Sequence, residues 1–245
     1  MSLVSVAIPL GLRCALCSVL LLATNARGQV LVEDFNDNSI NPTLWRVDLF
    51  GSGPQIAEAN QQLQTTIPDT SSGDPFSVNL VSKFRLRGDF DVQVDYRLLG
   101  WPFSNGVRVG LGINESYGVE RTSFGSPLDG WGREPREVYV TDFLDGPQGV
   151  TGTGDVTGTL RLVRTGATLT GYYYSPGQWV AIHVGPGPTA DVALNVSSWS
   201  HDYAFMDWDV TAAFDNLTVN SGELVWPIIV PVRGSTWGSV KALYR

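Results

Sequence analysis

The body of the chain is built of short alternating runs. In "FDVQVDYRL", Phe90, Val92, Val94, Tyr96 and Leu98 fall on one face of an extended strand. Asp91, Gln93, Asp95 and Arg97 fall on the other. "VRVGLGIN" repeats the pattern, with Val107, Val109, Leu111 and Ile113 opposite Arg108, Gly110, Gly112 and Asn114. "DVALNV" alternates through Val192, Leu194 and Val196. Gly, Pro, Asn, Asp and Ser divide these runs, and no stretch of the body carries a helical period. Many short strands separated by turn signals predict an all-β sandwich or barrel.

The stretch "GTLRLVRTGATLTGYYYSPGQWVAI" can be given a register, because opposed residues of a hairpin share a face. A turn at Pro176-Gly177 pairs Tyr174 with Trp179, Tyr173 with Val180, Tyr172 with Ala181 and Gly171 with Ile182. A turn at Thr165-Gly166 pairs Leu162 with Leu169 and Arg161 with Thr170. Both turns sort the residues alike. Leu160, Leu162, Leu169, Tyr173, Val180, Ile182 and Val184 face the core. Arg161, Thr170, Tyr172, Tyr174, Trp179 and His183 face away from it.

The ends of the chain change the setting. Arg13 precedes an apolar run from Cys14 to Ala23, followed by the small residues of "ATNARG". That is the layout of a signal peptide spanning 1–28, cut after Gly28. The apolar run is short for a membrane span, so no spanning segment is expected in the mature chain. Both cysteines lie in this leader, which leaves the mature protein without disulfides or thiolate chemistry. A secreted or envelope location in a bacterium is the expectation. Loss of Arg13 and Arg27 with the leader leaves 14 basic against 24 acidic residues, a net charge of −10. Such a chain does not suit nucleic acid, whose phosphates demand Lys and Arg. One domain over 29–220 is expected. A proline-containing linker and tail over 221–245 would follow it, the last turn an amphipathic helix through Val240, Leu243 and Tyr244.

"EDFNDNSINPTLWRV", "GDFDVQVDYRL", the hairpin stretch and "AAFDNLTV" together resemble the concanavalin A-like lectin/glucanase superfamily, in particular its laminin-G-like and DUF1349-type bacterial jelly rolls. The resemblance covers roughly residues 30–220. It implies a two-sheet antiparallel jelly-roll sandwich, with first and last strands adjacent. The tail "STWGSVKALYR" resembles endings of exported bacterial proteins and would attach the protein to a cell surface.

Catalytic members of that superfamily carry E-x-D-x-x-E on one strand, and this chain has no such motif. Glu134 and Glu137 in "EPRE" have the wrong spacing. Asp207 and Asp209 share a face only if "MDWDV" is a strand. These acids read first as solvated loop residues. His183 and His201, the only histidines, suggest neither a triad nor a zinc site. No motif requires a cofactor. A structural calcium is the one candidate, held by Asp34 of "DFNDNS" and Asp215 of "FDN"; backbone hydrogen bonding at strand ends is the competing role.

The candidate ligand site is Tyr172, Tyr174 and Trp179 with Arg161, joined by Asp95, Arg97, Arg108 and Asn114 from the polar faces of the neighbouring runs. Sugars stack their C–H faces on aromatic rings while polar side chains take the hydroxyls. Cross-strand aromatic pairing on an exposed sheet explains the same rings without a ligand. The expected function is a non-catalytic secreted module binding carbohydrate or another extracellular polymer. The alternatives are a glycoside hydrolase with non-standard loop carboxylates and a structural or adhesive surface protein.

Overall fold

The computed structural model describes residues 31–71, 75–124, 136–144, 146–201 and 204–226. The leader, Glu134 and the tail beyond Trp226 lie outside these residues. In chain order the strands are β1 (Leu31–Glu33), β2 (Trp45–Phe50), β3 (Gln55–Ala59), β4 (Gln62–Ile67), β5 (Phe76–Ser82), β6 (Arg85–Gly100) and β7 (Arg108–Ile113). They continue with β8 (Tyr117–Phe124), β9 (Arg136–Phe143), β10 (Pro147–Gly152), β11 (Thr157–Thr165), β12 (Thr168–Ser175), β13 (Gln178–Pro186), β14 (Leu194–Ser200) and β15 (Val210–Val225).

One sheet runs β13-β12-β11-β6-β15-β4-β3, with β1 also paired to β15; the other runs β10-β9-β8-β7-β14-β5-β2. All pairings are antiparallel. The first described strand lies beside the last, Leu31 opposite Val219. Alternation decides what enters the sandwich. Val92, Val94, Tyr96 and Leu98 of β6 join Val109, Leu111 and Ile113 of β7 in one buried core. Each such aliphatic side chain contributes about 1.5–3 kcal/mol by leaving water. No helix among the described residues is long and apolar enough to cross a membrane.

One hairpin departs from the expected register at its turn and the other only beyond it, at a bulge. The β11–β12 turn is centred one residue later than expected, on Gly166-Ala167, so Thr165 faces Thr168, Arg161 faces Tyr172 and Leu162 faces Gly171. Moving a turn by one residue moves each pair by two, and an even shift keeps every side chain on its face. In β12–β13, Tyr174 faces Trp179 and Tyr172 faces Ala181, then a bulge sets Gly171 opposite His183. The extra residue reverses the far half of β13. His183 turns inward, its ring 5.6 Å from that of Phe143, while Val184 is 57% exposed. The bulge lies where β10 crosses closely, since a side chain on Gly149 would stand 2.1 Å from the Ile182 carbonyl oxygen. Tyr173 packs on the core, stacked on Tyr139 with centroids 4.3 Å apart.

The domain boundary expected near Asn220 falls inside β15. The strand continues with Glu223, Leu224 and Val225 opposite Arg87, Leu86 and Arg85. Leu224 still packs against the core, which is why pairing outlasts the change in composition.

A charged network also lies between the sheets. Arg121 of β8 is on the inner face, opposite Val109 and Tyr139, and only 2% exposed. Its Nη1 donates to Glu137 Oε2 at 2.6 Å, and its Nε to the Asp155 carbonyl at 3.1 Å. Glu137 also accepts from Trp101 Nε1, Ser123 Oγ and the Ser104 amide. Glu137 is therefore an enclosed strand residue, not a solvated loop acid. Asp207 and Asp209 precede β15 in exposed, non-strand chain, and Asp209 accepts the Asp69 amide.

Candidate functional site

The structure divides the expected site residues between two outer faces. On the first sheet, Arg161 Nε and Nη2 donate to both Asp91 carboxylate oxygens at 2.7 and 2.5 Å. This places the guanidinium carbon 4.9 Å from the Trp179 ring centroid and 5.6 Å from that of Tyr172. Tyr174 meets Trp179 edge to face at 5.2 Å and 68°. The rings thus stand across one another around a cation rather than lying open as a flat tray. Asp95 accepts from Thr159 Oγ1 and Asn216 Nδ2. Arg97 is exposed beside it.

Asn114 lies elsewhere, in the turn after β7 at a φ of 51°, where its Oδ1 takes the Ala193 amide. Asp34 is exposed. Burial raises the Asp215 carboxyl pKa, helped by the charges of Asp95 and Asp34. Among the described residues no group of three or more His, Cys, Asp or Glu is placed to hold a metal ion.

Asp95, Arg97 and Asp215 share a hollow on the first sheet, whereas Arg108 borders, through Trp199 and Asp142, a cleft that crosses the outer face of the second sheet. Register builds that cleft in three rows. Trp199, Arg108 and Thr122 form the first; Asn79, Ser197, Gly110 and Glu120 the second; Asn195, Gly112, Gly118 and Asp142 the third. The three glycines leave a trough of about 440 Å³ where side chains would otherwise stand. A Cβ on Gly110 would come within 2.9 Å of Glu120 Cγ, and one on Gly112 within 2.8 Å of Asn195 Nδ2.

Across this trough Trp199 Nε1 donates to Glu120 Oε1 at 2.8 Å, which fixes the indole edge. Arg108, 5% exposed, stands over that indole at 4.2 Å, with Nη1 3.9 Å from Asp142 Oδ2. Burial pushes the Glu120 carboxyl up to about 7; the Arg108 charge opposes the rise and that of Asp142 adds to it. Burial raises Asp142 as well, against Arg108 and His201. A carboxyl poised near 7 both donates and accepts hydrogen bonds at neutral pH. Glu120, Asp142, Trp199, Asn79 and Asn195 were not singled out from the sequence. The one signal was the glycine pair of "VGLG", which reads as room for a ligand or for a crossing loop.

No protein-family model matches the chain, and no curated protein matches it either. Solved structures do. A prokaryotic β-1,3-1,4-glucanase (lichenase) from a mouse hindgut metagenome superposes with a TM-score of 0.54 at 11% identity, covering 78% of this chain and 98% of that one. The fold is the concanavalin A-like jelly roll. A β-1,3-glucanase from Mycobacterium marinum shares this jelly roll with a TM-score of 0.54 at 10% identity, covering 77% of this chain and 97% of that one. The Bacillus licheniformis β-glucanase does so with a TM-score of 0.53 at 11% identity, over 78% and 98%.

Proposed function

We propose that this jelly roll is an exported glycan-binding domain whose ligand lies in the cleft of the second sheet. The observation that carries this is Trp199, held edge-on by Glu120 at the side of a glycine-floored trough. An indole fixed in this way offers a sugar ring a stacking surface whose orientation is already set, and Asn79, Asn195 and Ser197 supply hydroxyl partners along the same trough. Solved jelly rolls of the same fold that are glucanases support a glycan as the ligand class.

A glycan array followed by calorimetry on residues 29–245 tests it. The wild type is expected to bind a glycan, and Trp199→Ala to weaken binding at least about tenfold, as loss of a central aromatic anchor does. The Tyr174→Ala/Trp179→Ala double variant is expected to bind as the wild type, with thermal unfolding showing that each variant is folded. The reverse result would move the site to the first sheet. Wild-type binding to no glycan would sink the reading and favour an adhesive role.

Hydrolysis is a second reading, favoured by one observation: a raised Glu120 on the strand next to a second carboxylate, Asp142. Release of shorter saccharides that Glu120→Gln abolishes would establish it. Intact ligand after long incubation would leave binding alone.

A further inference from the structure

The second sheet ends at β2, whose only partner among the described strands is β5. This free edge is unusually apolar: Val47, Leu49 and Phe50 are 38%, 53% and 61% exposed. A bare edge offers unpaired N–H and C=O groups to another strand, and proteins ordinarily blunt it with proline, charge or a covering element. β2 contains no proline, and its charges are Arg46 and Asp48, two residues apart on one face. Arg46 Nη2 lies 2.6 Å from Asp48 Oδ2 and 3.8 Å from Glu115 Oε1, with all three side chains well exposed.

The spacing of that pair makes the edge complementary to itself. If a second β2 is laid antiparallel about a twofold axis through Val47, Arg46 faces Asp48 of the second copy and Asp48 faces its Arg46. Val47 then faces Val47, and Leu49 faces Trp45. Opposed residues share a face, so four charges alternate in sign on one side of the joined sheet. On the other, the exposed Val47 and Leu49 of both copies come together. The charges that would repel an arbitrary strand match this one.

We propose that β2 is the interface of a homodimer, in which the second sheets of two copies join edge to edge in this register. The occupant of the edge is a second copy of this chain, selected by the Arg46/Asp48 pattern.

Light scattering and sedimentation over a concentration series on residues 29–245 test the proposal. The wild type is expected to show twice the monomer mass. Arg46→Asp sets like charges opposite each other at both positions and should weaken the dimer at least about tenfold. Arg46→Asp/Asp48→Arg restores opposite signs across the axis and should restore the dimer, while thermal unfolding of the diluted monomer shows each variant folded. A wild type that stays monomeric at every concentration overturns the proposal. So does a dimer indifferent to Arg46→Asp, which would associate through another surface such as the tail. A double variant as weak as the single overturns the register. Glycan binding by Trp199 is measured separately and does not bear on any of these results.

Discussion

Arg121→Ala is expected to destabilise the domain by about 3–5 kcal/mol, the cost of removing one partner from a buried ion pair. Arg121 occupies an inward position of β8 where alternation calls for an apolar side chain, and it is nearly sealed from water. Its loss leaves the Glu137 carboxylate enclosed, with Trp101, Ser104 and Ser123 as its remaining donors. It also removes the bond to the Asp155 carbonyl, whose carboxylate in turn receives the Tyr139 hydroxyl at 2.8 Å. Chemical denaturation at neutral pH measures the effect. Arg121→Met/Glu137→Leu should recover only part of the loss, because it strands the three donors that Glu137 now satisfies. A loss below about 1 kcal/mol for Arg121→Ala would mean that water reaches Glu137 and that the pair is effectively a surface one.

The second large effect is a dependence on pH, of which Glu120→Gln removes one of two contributions. The folded protein holds the Glu120 proton up to about pH 7, whereas the ordinary value for this carboxyl is 4.5. Between those values the folded state binds more protons than the unfolded chain, so stability falls as pH rises through the window. The shift corresponds to about 3 kcal/mol, present below pH 4.5 and lost above pH 7. Glu58 acts in the same sense. Its carboxyl is also pushed up to about 7, by burial first, against the stabilising Ser39 amide. The wild-type slope therefore contains both groups, and the substitution isolates one. Glu120→Gln keeps an acceptor for Trp199 Nε1 and should stabilise the protein by about 3 kcal/mol at pH 8 while changing little at pH 4. Denaturation midpoints at the two pH values give the comparison. An equal difference at both would show that Glu120 is already ionised throughout the range.

Much of the sandwich could be read from local pattern. Which face of β6 or β7 enters the core depends only on a period of two, which any extended strand obeys. Tyr173 could be sorted to the core for the same reason, and the sorting survived a turn displaced by one residue because pairs then move by two. His183 and Val184 could not be sorted in this way. Their faces were reversed by a bulge at a point where β10, from the other sheet, presses on β13. Arg121 defied the pattern too, since a charge can enter the sandwich only where Glu137 and Asp155 meet it there.

The site shows the same division. The sequence determined that Tyr172, Tyr174, Trp179 and Arg161 share an outer face. Asp91, on a neighbouring strand, then held Arg161 against the rings and closed them around it. The cleft draws on β5, β7, β8, β9 and β14, strands separated by long stretches of chain. Glu120 meets Trp199 only because the β8–β7–β14 register sets them in adjoining rows with Gly110 between. Face is a property of neighbours along a strand, so the sequence by itself determined the inward faces of β6 and β7, those of the hairpin as far as the bulge, and the all-β sandwich. Register and sheet-to-sheet packing belong to residues far apart in the chain, and for that reason only the tertiary structure decided where the cleft lies.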